Sequence, residues 1–237
     1  MSVSTRVKSA CEILELATLV ARFTFDNGSF LYDSGPNSLP AISQSISSTL
    51  FGRFSPGITF NGSDSSYFQV GGFTALGISN KSFSISLWLR PTTLLGVVLH
   101  VSENTSGLSN WCMPFLGFAN NGSFTAQINN GIGQIAVQDP TFSIATSVWS
   151  HVVQTWSSIN GLRLYINNVL VASRLASATT YTASGNPMFL TLGNALSGRG
   201  YCNISQVNAL PYSGDIDEFR VYSRELSASD VCTLYTN

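Results

Sequence analysis

The chain of 237 residues carries few charges: Asp, Glu, Lys and Arg make up 10% of it, and the formal net charge is −1. Such a chain offers no electrostatic footprint for a phosphate backbone or an anionic membrane, so nucleic acid is not an expected partner. The polar surface must come mainly from hydroxyl and amide side chains, which favours an extracellular setting. A single domain is expected, because all-β sandwiches commonly reach this length as one unit.

Residues 1–18 are predicted to be an N-terminal lead-in segment to a domain at 19–237. Glu12 and Glu15 interrupt the only apolar stretch that could form a signal core, 10–20. A short helix over 11–17 is expected, and no run reaches the roughly 18 apolar residues of a membrane span. These features predict a domain of a larger secreted or membrane protein, without a membrane span in this fragment.

The rest of the chain alternates between short apolar-polar stretches and turn residues, which is typical of an all-β fold. Asn61 to Asp64 is expected to join two strands as a hairpin, and Asn167-Asn168 fits a two-residue turn. Ser227 could cap one last helical turn. Many short strands and almost no helix predict a β-sandwich. The predicted strands are 19–25, 57–60, 67–70, 83–90, 96–101, 115–118, 123–128, 134–138, 149–156, 164–166, 169–172, 189–192 and 215–222.

The last predicted strand, 215–222, combines acids with apolar residues. Strict alternation would put Ile216, Glu218, Arg220 and Tyr222 on one face and Asp215, Asp217, Phe219 and Val221 on the other. A carboxylate beside a buried face needs hydrogen bonds, a cation or a metal to compensate it. Asp217 is therefore a candidate site residue, unless the strand end is simply hydrated.

The four cysteines are widely spaced and lack the CxxC clustering of a zinc site, so disulfides are the better interpretation. Three connectivities are possible and the sequence does not choose among them. We expect Cys11 to pair with Cys232, which would join the chain ends, and Cys112 to pair with Cys202. Asn-x-Ser sequons, which suit a secreted glycoprotein, occur at Asn27, Asn61, Asn80, Asn104, Asn121 and Asn203.

A series of motifs occurs in a specific order along the chain. They are FTFD at 23–26, DSG at 33–35, FSISLW at 83–88, WSHV at 149–152, LYIN at 164–167 and GDIDEFRVY at 214–222 followed by RELS. Together they resemble the laminin-G-like jelly-roll group of the concanavalin A-like lectin/glucanase superfamily, over about 19–235. The resemblance implies a two-sheet antiparallel jelly-roll β-sandwich, all-β, with at most a short helix at each end.

The resemblance also implies a calcium ion where the first and last strands meet. Mapped onto this chain, the ligands would be Asp26, Asp33, Asn37 and Asp217. Carboxylates and a carbonyl-rich loop are the oxygen ligands that calcium prefers, and soft ligands are absent from the set. In the alternative, Asp26 caps a turn and Asp217 bonds to backbone amides.

Relatives in the superfamily that hydrolyse polysaccharides make a glycoside hydrolase an alternative. Asp215 and Asp217 could be its acid pair, but Glu218 is predicted on the opposite face, so the third acid of the glucanase pattern is missing. No partner can be placed beside His100 or His151. We therefore expect no enzyme activity.

The predicted function is an extracellular binding module that grips a glycan, like a lectin, or an extracellular protein through rim loops. Aromatic residues on the long loops, which could stack on a sugar ring, are the candidate contacts. A structural or adhesion module that contacts other proteins is the alternative. The candidate ligand-binding residues are Trp111, Tyr201 and Tyr212.

Overall fold

The computed structural model describes residues 18–26, 30–54, 56–175, 180–202 and 205–236. In this part of the chain, strands form two antiparallel sheets, and one α-helix follows the last strand. The elements are β1 (Leu19–Phe23), β2 (Ala41–Gln44), β3 (Ile46–Thr49), β4 (Gly57–Asn61), β5 (Tyr67–Phe73), β6 (Phe83–Pro91), β7 (Gly96–Ser102), β8 (Cys112–Phe118), β9 (Phe124–Asn129), β10 (Gln134–Gln138), β11 (Ser150–Ser157), β12 (Gly161–Ile166), β13 (Val169–Arg174), β14 (Met188–Leu192), β15 (Ser213–Tyr222) and α1 (Ala228–Thr236).

The two sheets pack face to face as the predicted jelly-roll sandwich. The eight-stranded sheet has the order β13-β12-β11-β6-β15-β4-β3, with β1 paired to β15, and the seven-stranded sheet has the order β10-β9-β8-β7-β14-β5-β2. The expected hairpin around 61–64 is wrong, because β4 and β5 lie in different sheets and the turn crosses between them. The same turn residues serve both kinds of connection.

Strand β6 shows how alternation builds the core. Phe83, Ile85, Leu87 and Leu89 lie in the main hydrophobic cluster between the sheets, as predicted, and Trp88 faces the other side. The predicted turn Asn167-Asn168 joins β12 and β13, and both residues have the positive φ (49° and 67°) that a type I′ turn requires.

Strand β15 departs from the predicted alternation. Glu218 has a φ of 53°, and the pairing with β6 shifts between Asp217 and Arg220, so β15 contains a bulge. The extra residue reverses the alternation, and Ile216, Phe219 and Val221 all belong to the main core. The expected faces are therefore wrong beyond the bulge: Asp217 and Arg220 pair with Trp88 and Ser86 on the outer face.

Helix α1 covers part of that outer face. The Asp230 amide donates to Ser227 Oγ at 3.2 Å and the Ser227 amide donates to Asp230 Oδ2 at 2.8 Å, so Ser227 caps the helix as expected.

Among the described residues, no helix is both long and apolar enough to cross a bilayer. The lead-in helix over 11–17 lies outside the described residues, and the boundary at 18 remains a prediction. Helix α1 contributes Val231 and Leu234 to a second hydrophobic cluster. The cluster consists of Leu19, Val153, Tyr165, Tyr222, Leu226, Val231 and Leu234.

Candidate functional site

The outer face of the seven-stranded sheet is partly covered by the connection between β14 and β15, residues 193–202 and 205–212, here called the crossing loop. Gln127 lies between Ala126 and Ile128, which point into the main core, so its side chain faces outward. There it donates to Ser205 Oγ at 2.7 Å and accepts from the Gln206 amide at 3.1 Å. The crossing loop is thus hydrogen-bonded to the sheet by its own side chains and backbone.

A disulfide also fastens the crossing loop to the sheet. Cys112, at the start of β8, is bonded to Cys202, as expected from the sequence. Cys232 is exposed on α1 and has no disulfide partner among the described residues. Its expected partner Cys11 lies outside the described residues, so that pairing remains a prediction.

A cleft of about 420 Å³ opens beside the disulfide. Apolar residues of the sheet and the crossing loop, among them Val97, Pro114 and Val207, form part of its wall. Tyr201 stands beside them with 79% of its surface exposed. An apolar floor with a few polar groups and an accessible aromatic ring is a typical ligand-binding arrangement. We call this the Tyr201 cleft.

Arg199 lies between the Tyr201 cleft and a second cleft. Its side chain lines both and forms an ion pair with Asp64. The second cleft has a volume of about 390 Å³. The sequence analysis did not single out Arg199, although it is the one charged residue in the stretch 193–212. The second cleft is lined by Gln44, Asp64, Ser65, Tyr67, Asn194, Leu196, Ser197 and Arg199.

Two of the three candidate ligand-binding aromatics are buried, so their assignment to an exposed rim is wrong. Trp111 has 7% of its surface exposed, and its Nε1 donates to the Thr182 carbonyl at 2.8 Å. Tyr212 is fully buried, and its hydroxyl lies 3.1 Å from the Asp215 carbonyl oxygen. Both sit on loops by sequence, but those loops fold back onto the sandwich and bury them. Tyr201 alone of the three is accessible.

The loop that carries Asp33 and Asn37 is held by these two side chains. Asp33 Oδ1 accepts from the amides of Arg22 and Gly35, both at 2.8 Å, and Oδ2 accepts from the Leu39 amide at 2.8 Å. Asn37 donates to the Val20 carbonyl at 2.8 Å. Asp33 is therefore already compensated by backbone donors, as a buried carboxylate must be.

Asp217 is compensated in the same way. Its Oδ2 accepts from the Arg53 amide at 2.7 Å and its Oδ1 accepts from the Glu218 amide at 2.8 Å. Burial raises the pKa of the Asp217 carboxyl to about 7, although the backbone donors lower it. Asp26, the remaining predicted acid, is half-buried just after β1.

These contacts do not fit the predicted calcium site. Calcium needs six to eight oxygens with free lone pairs and favours ionised carboxylates. Within the described ranges, no group of three acid, histidine or cysteine ligands forms around Asp26, Asp33 or Asp217. The hydrogen bonds favour the alternative in which Asp217 bonds to backbone amides, and calcium remains an untested prediction.

A second polar cluster lies on the outer face of the eight-stranded sheet, beneath α1. Ser86 Oγ and His151 Nε2 are 2.9 Å apart, a pairing that sequence reasoning missed because the two strands are 65 residues apart. Tyr235 of α1 stacks on Trp88 with a centroid distance of 5.6 Å. Burial lowers the pKa of His151 to about 3. Because Ser86 and His151 are both buried, this pair offers no access to a substrate.

The acid pair of the glycosidase alternative has structural partners. Asp215 Oδ2 accepts from Arg90 Nε at 2.8 Å and lies 2.8 Å from Arg90 Nη2, while Oδ1 accepts from Thr59 Oγ1 at 2.5 Å. Asp215 is 8% exposed and Asp217 is 1% exposed. A hydrolase acid must face a groove with room for a sugar, and these two carboxyls face protein donors instead.

The two antiparallel sheets define a jelly-roll domain. A laminin-G family model, described as the concanavalin A-like lectin/glucanases superfamily, matches residues 61–232. The chain belongs to this superfamily. No match was found among curated protein sequences.

Solved structures with the same fold come from bacterial enzymes and toxins. Domain 4 of AbnA, an extracellular GH43 arabinanase from Geobacillus stearothermophilus solved with arabinotriose, is 21% identical, with a TM-score of 0.60 over 92% of this chain and 98% of that one. The binding domain of Paraclostridial Mosquitocidal Protein 1 is 20% identical, with a TM-score of 0.68 over 92% and 52%. The ligand-binding domain of botulinum neurotoxin serotype D, solved with N-acetylneuraminic acid, is 15% identical, with a TM-score of 0.67 over 96% and 52%. The chain spans about half the length of the two toxin domains. At these identities the likeness shows the fold alone.

Proposed function

We propose that this domain is a non-catalytic extracellular module that binds a glycan at the Tyr201 cleft. The observation that carries the proposal is the 79% exposed ring of Tyr201 beside a cleft of about 420 Å³. When the apolar face of a sugar stacks on an exposed aromatic ring, both remove apolar surface from water, which favours binding. Arg199, which lines the same cleft, carries five N–H donors for sugar hydroxyls and has one described acceptor, Asp64.

Four further observations support the proposal. The Cys112–Cys202 disulfide is typical of proteins from oxidising compartments. The acids Asp215 and Asp217 are engaged by protein donors, which favours a domain without hydrolase activity. Two of the similar structures were solved with sugars, arabinotriose and N-acetylneuraminic acid. Four of the six sequon asparagines, Asn61, Asn80, Asn104 and Asn121, are exposed, which suits a secreted glycoprotein.

Calorimetric titration with a panel of oligosaccharides that includes arabinotriose and N-acetylneuraminic acid tests the proposal. We expect weak binding of at least one sugar, and a two- to tenfold loss of affinity in Tyr201→Ala, about the value of one aromatic contact. Tyr32→Ala is the matched control, because Tyr32 is 58% exposed and does not line the cleft. Equal losses in both variants, or no binding in the panel, would contradict the proposal.

An adhesion module remains the second candidate, because one loop presents apolar side chains to solvent. Leu50 and Phe51 are 80% and 75% exposed at the end of β3. The Arg53 amide beside them is held by Asp217, so the loop has a fixed base. Such an exposed apolar pair suits a protein contact. A variant Leu50→Ser/Phe51→Ser that abolishes cell-surface binding while sugar binding is absent would favour adhesion over glycan recognition.

A further inference from the structure

Three potential metal ligands meet where the crossing loop touches the seven-stranded sheet. His100 lies on β7 between Leu99 and Val101, which point into the main core, so its ring faces the crossing loop. Cys112 begins β8, and Cys202 is on the crossing loop. The ligand atoms of these three residues all lie within 4.8 Å of one another. His100 and Cys112 are buried and Cys202 is half-buried.

The distance between one sulfur and the histidine nitrogen is close to that in a tetrahedral zinc site. Cys202 Sγ lies 3.8 Å from His100 Nε2. Zn–S and Zn–N bonds of about 2.3 and 2.0–2.1 Å at a tetrahedral angle separate sulfur and nitrogen by about 3.6 Å. The Gly107 carbonyl oxygen lies 2.8 Å from Nε2 and 3.3 Å from Cys202 Sγ, so an oxygen ligand lies next to both atoms. The two sulfurs, which are bonded to each other in the disulfide, must move apart to bind one ion.

We propose that His100, Cys112 and Cys202 form a zinc-binding site when a thiol reductant opens the disulfide. The disulfide accepts two electrons and two protons from two reductant thiols, which become a disulfide in turn. Zn²⁺ then displaces the two cysteine protons and takes two thiolates and His100 Nε2 as ligands. The Gly107 carbonyl or a water completes a four-coordinate site, since Cys₂His sets of this kind bind zinc.

The proton of His100 can move from Nε2 to Nδ1 with the loss of one hydrogen bond, the one to the Gly107 carbonyl. In the disulfide form, Nε2 lies at hydrogen-bonding distance from the Gly107 carbonyl, and Nδ1 has no partner among the described residues. Moving the proton from Nε2 to Nδ1 therefore exchanges only the Gly107 contact for the metal. Zinc would then join β8 to the crossing loop in place of the disulfide, so the loop keeps a cross-link in either redox state.

Cobalt absorption tests the site without any knowledge of the domain's ligand. The full chain is made as Cys11→Ser/Cys232→Ser, so that only Cys112 and Cys202 can supply thiols, and is reduced with a phosphine, which adds no thiol and is removed before the metal is added. Co²⁺ should give thiolate charge-transfer and tetrahedral d–d bands in the reduced protein and neither in the oxidised protein, and Zn²⁺ should displace it. His100→Gln should weaken Co²⁺ binding by about tenfold or more. His151→Gln, which replaces the only other histidine, should not.

Three results would overturn the proposal. The first is a reduced, folded protein without the cobalt bands. The second is equal cobalt binding by His100→Gln and His151→Gln, which would mean that the two thiolates alone bind metal. The third is loss of the near-ultraviolet circular dichroism signal on reduction, which would mean that the folded domain does not hold the site.

Discussion

The raised pKa of Asp217 makes a quantitative prediction about stability against pH. In the folded chain its carboxyl has a pKa of about 7 because it is buried, whereas the ordinary value is 3.8. The folded state therefore keeps a proton that the unfolded chain releases above about pH 4. The stability that this group contributes is complete below pH 4 and is lost as pH rises to 7. At 1.36 kcal/mol per pH unit, the loss is about 4 kcal/mol.

The variant Asp217→Asn isolates this contribution, because an amide does not titrate. We expect wild type and variant to run parallel below pH 4, and the variant to gain about 4 kcal/mol relative to wild type between pH 4 and 8. The unfolding free energy of the variant is compared with that of wild type at each pH, because the two histidines also change stability over this range. Burial lowers the pKa of His100 to about 4 and that of His151 to about 3. The free energy of unfolding would be measured by urea denaturation at each pH.

Asp230→Asn is the matched control with the opposite sign. Burial opposes ionisation of Asp230, but hydrogen bonds from Arg224 and Ser227 outweigh it and lower the pKa. Its stabilising effect is therefore present at neutral pH and lost as pH falls through the acid range, so this variant should lose stability relative to wild type as pH rises. A flat or falling difference curve for Asp217→Asn would refute the reasoning, because it would mean that the backbone donors balance or outweigh the effect of burial on the Asp217 pKa.

The acid contacts, the β12–β13 turn and the α1 cap can each be tested. Excess calcium should leave the thermal midpoint unchanged, because the oxygens of Asp33 and Asp217 already accept backbone hydrogen bonds; a rise that Asp217→Ala abolishes would restore the predicted metal site. Asn168→Val should destabilise the domain by about 1–2 kcal/mol in urea denaturation, since a β-branched residue resists the positive φ of this turn, while Asn168→Gly should not. Ser227→Ala should cost about 1 kcal/mol through loss of the α1 cap, and an unchanged urea midpoint would mean that the cap adds nothing.

The sequence predicted those elements whose local pattern and tertiary role agree. Strand β6 alternates without a break, and the Asn167-Asn168 turn has the residue type that its φ values demand. By contrast, the sequence did not predict β2 and β3, because these edge strands are rich in polar residues and none of their residues is buried. Edge strands need little apolar surface, so they leave a weak signal.

The site was predicted less well because it depends on where loops fold. The bulge at Glu218 has no local signal, since a glutamate at positive φ is unusual, and it reversed the faces of β15. Trp111 and Tyr212 looked exposed because their segments lack strand patterns, yet those segments pack on the sandwich. Residue type alone does not predict that Tyr201 is exposed and Trp111 is buried. The path of the backbone determines this difference.

The crossing loop is attached to the sheet at some residues and exposes others that could be substituted. A disulfide and the contacts of Gln127 fix the loop to the sheet, whereas Arg199, Gly200 and Tyr201 lie at its outer surface. Substitutions at Arg199 and Tyr201 leave the two-sheet core untouched, so a library randomised at these two positions should fold almost uniformly, whereas Gly200 has a φ of 76° and must stay glycine. Because the loop is ordered before any ligand arrives, new specificities selected from such a library would not have to pay for loop ordering on binding.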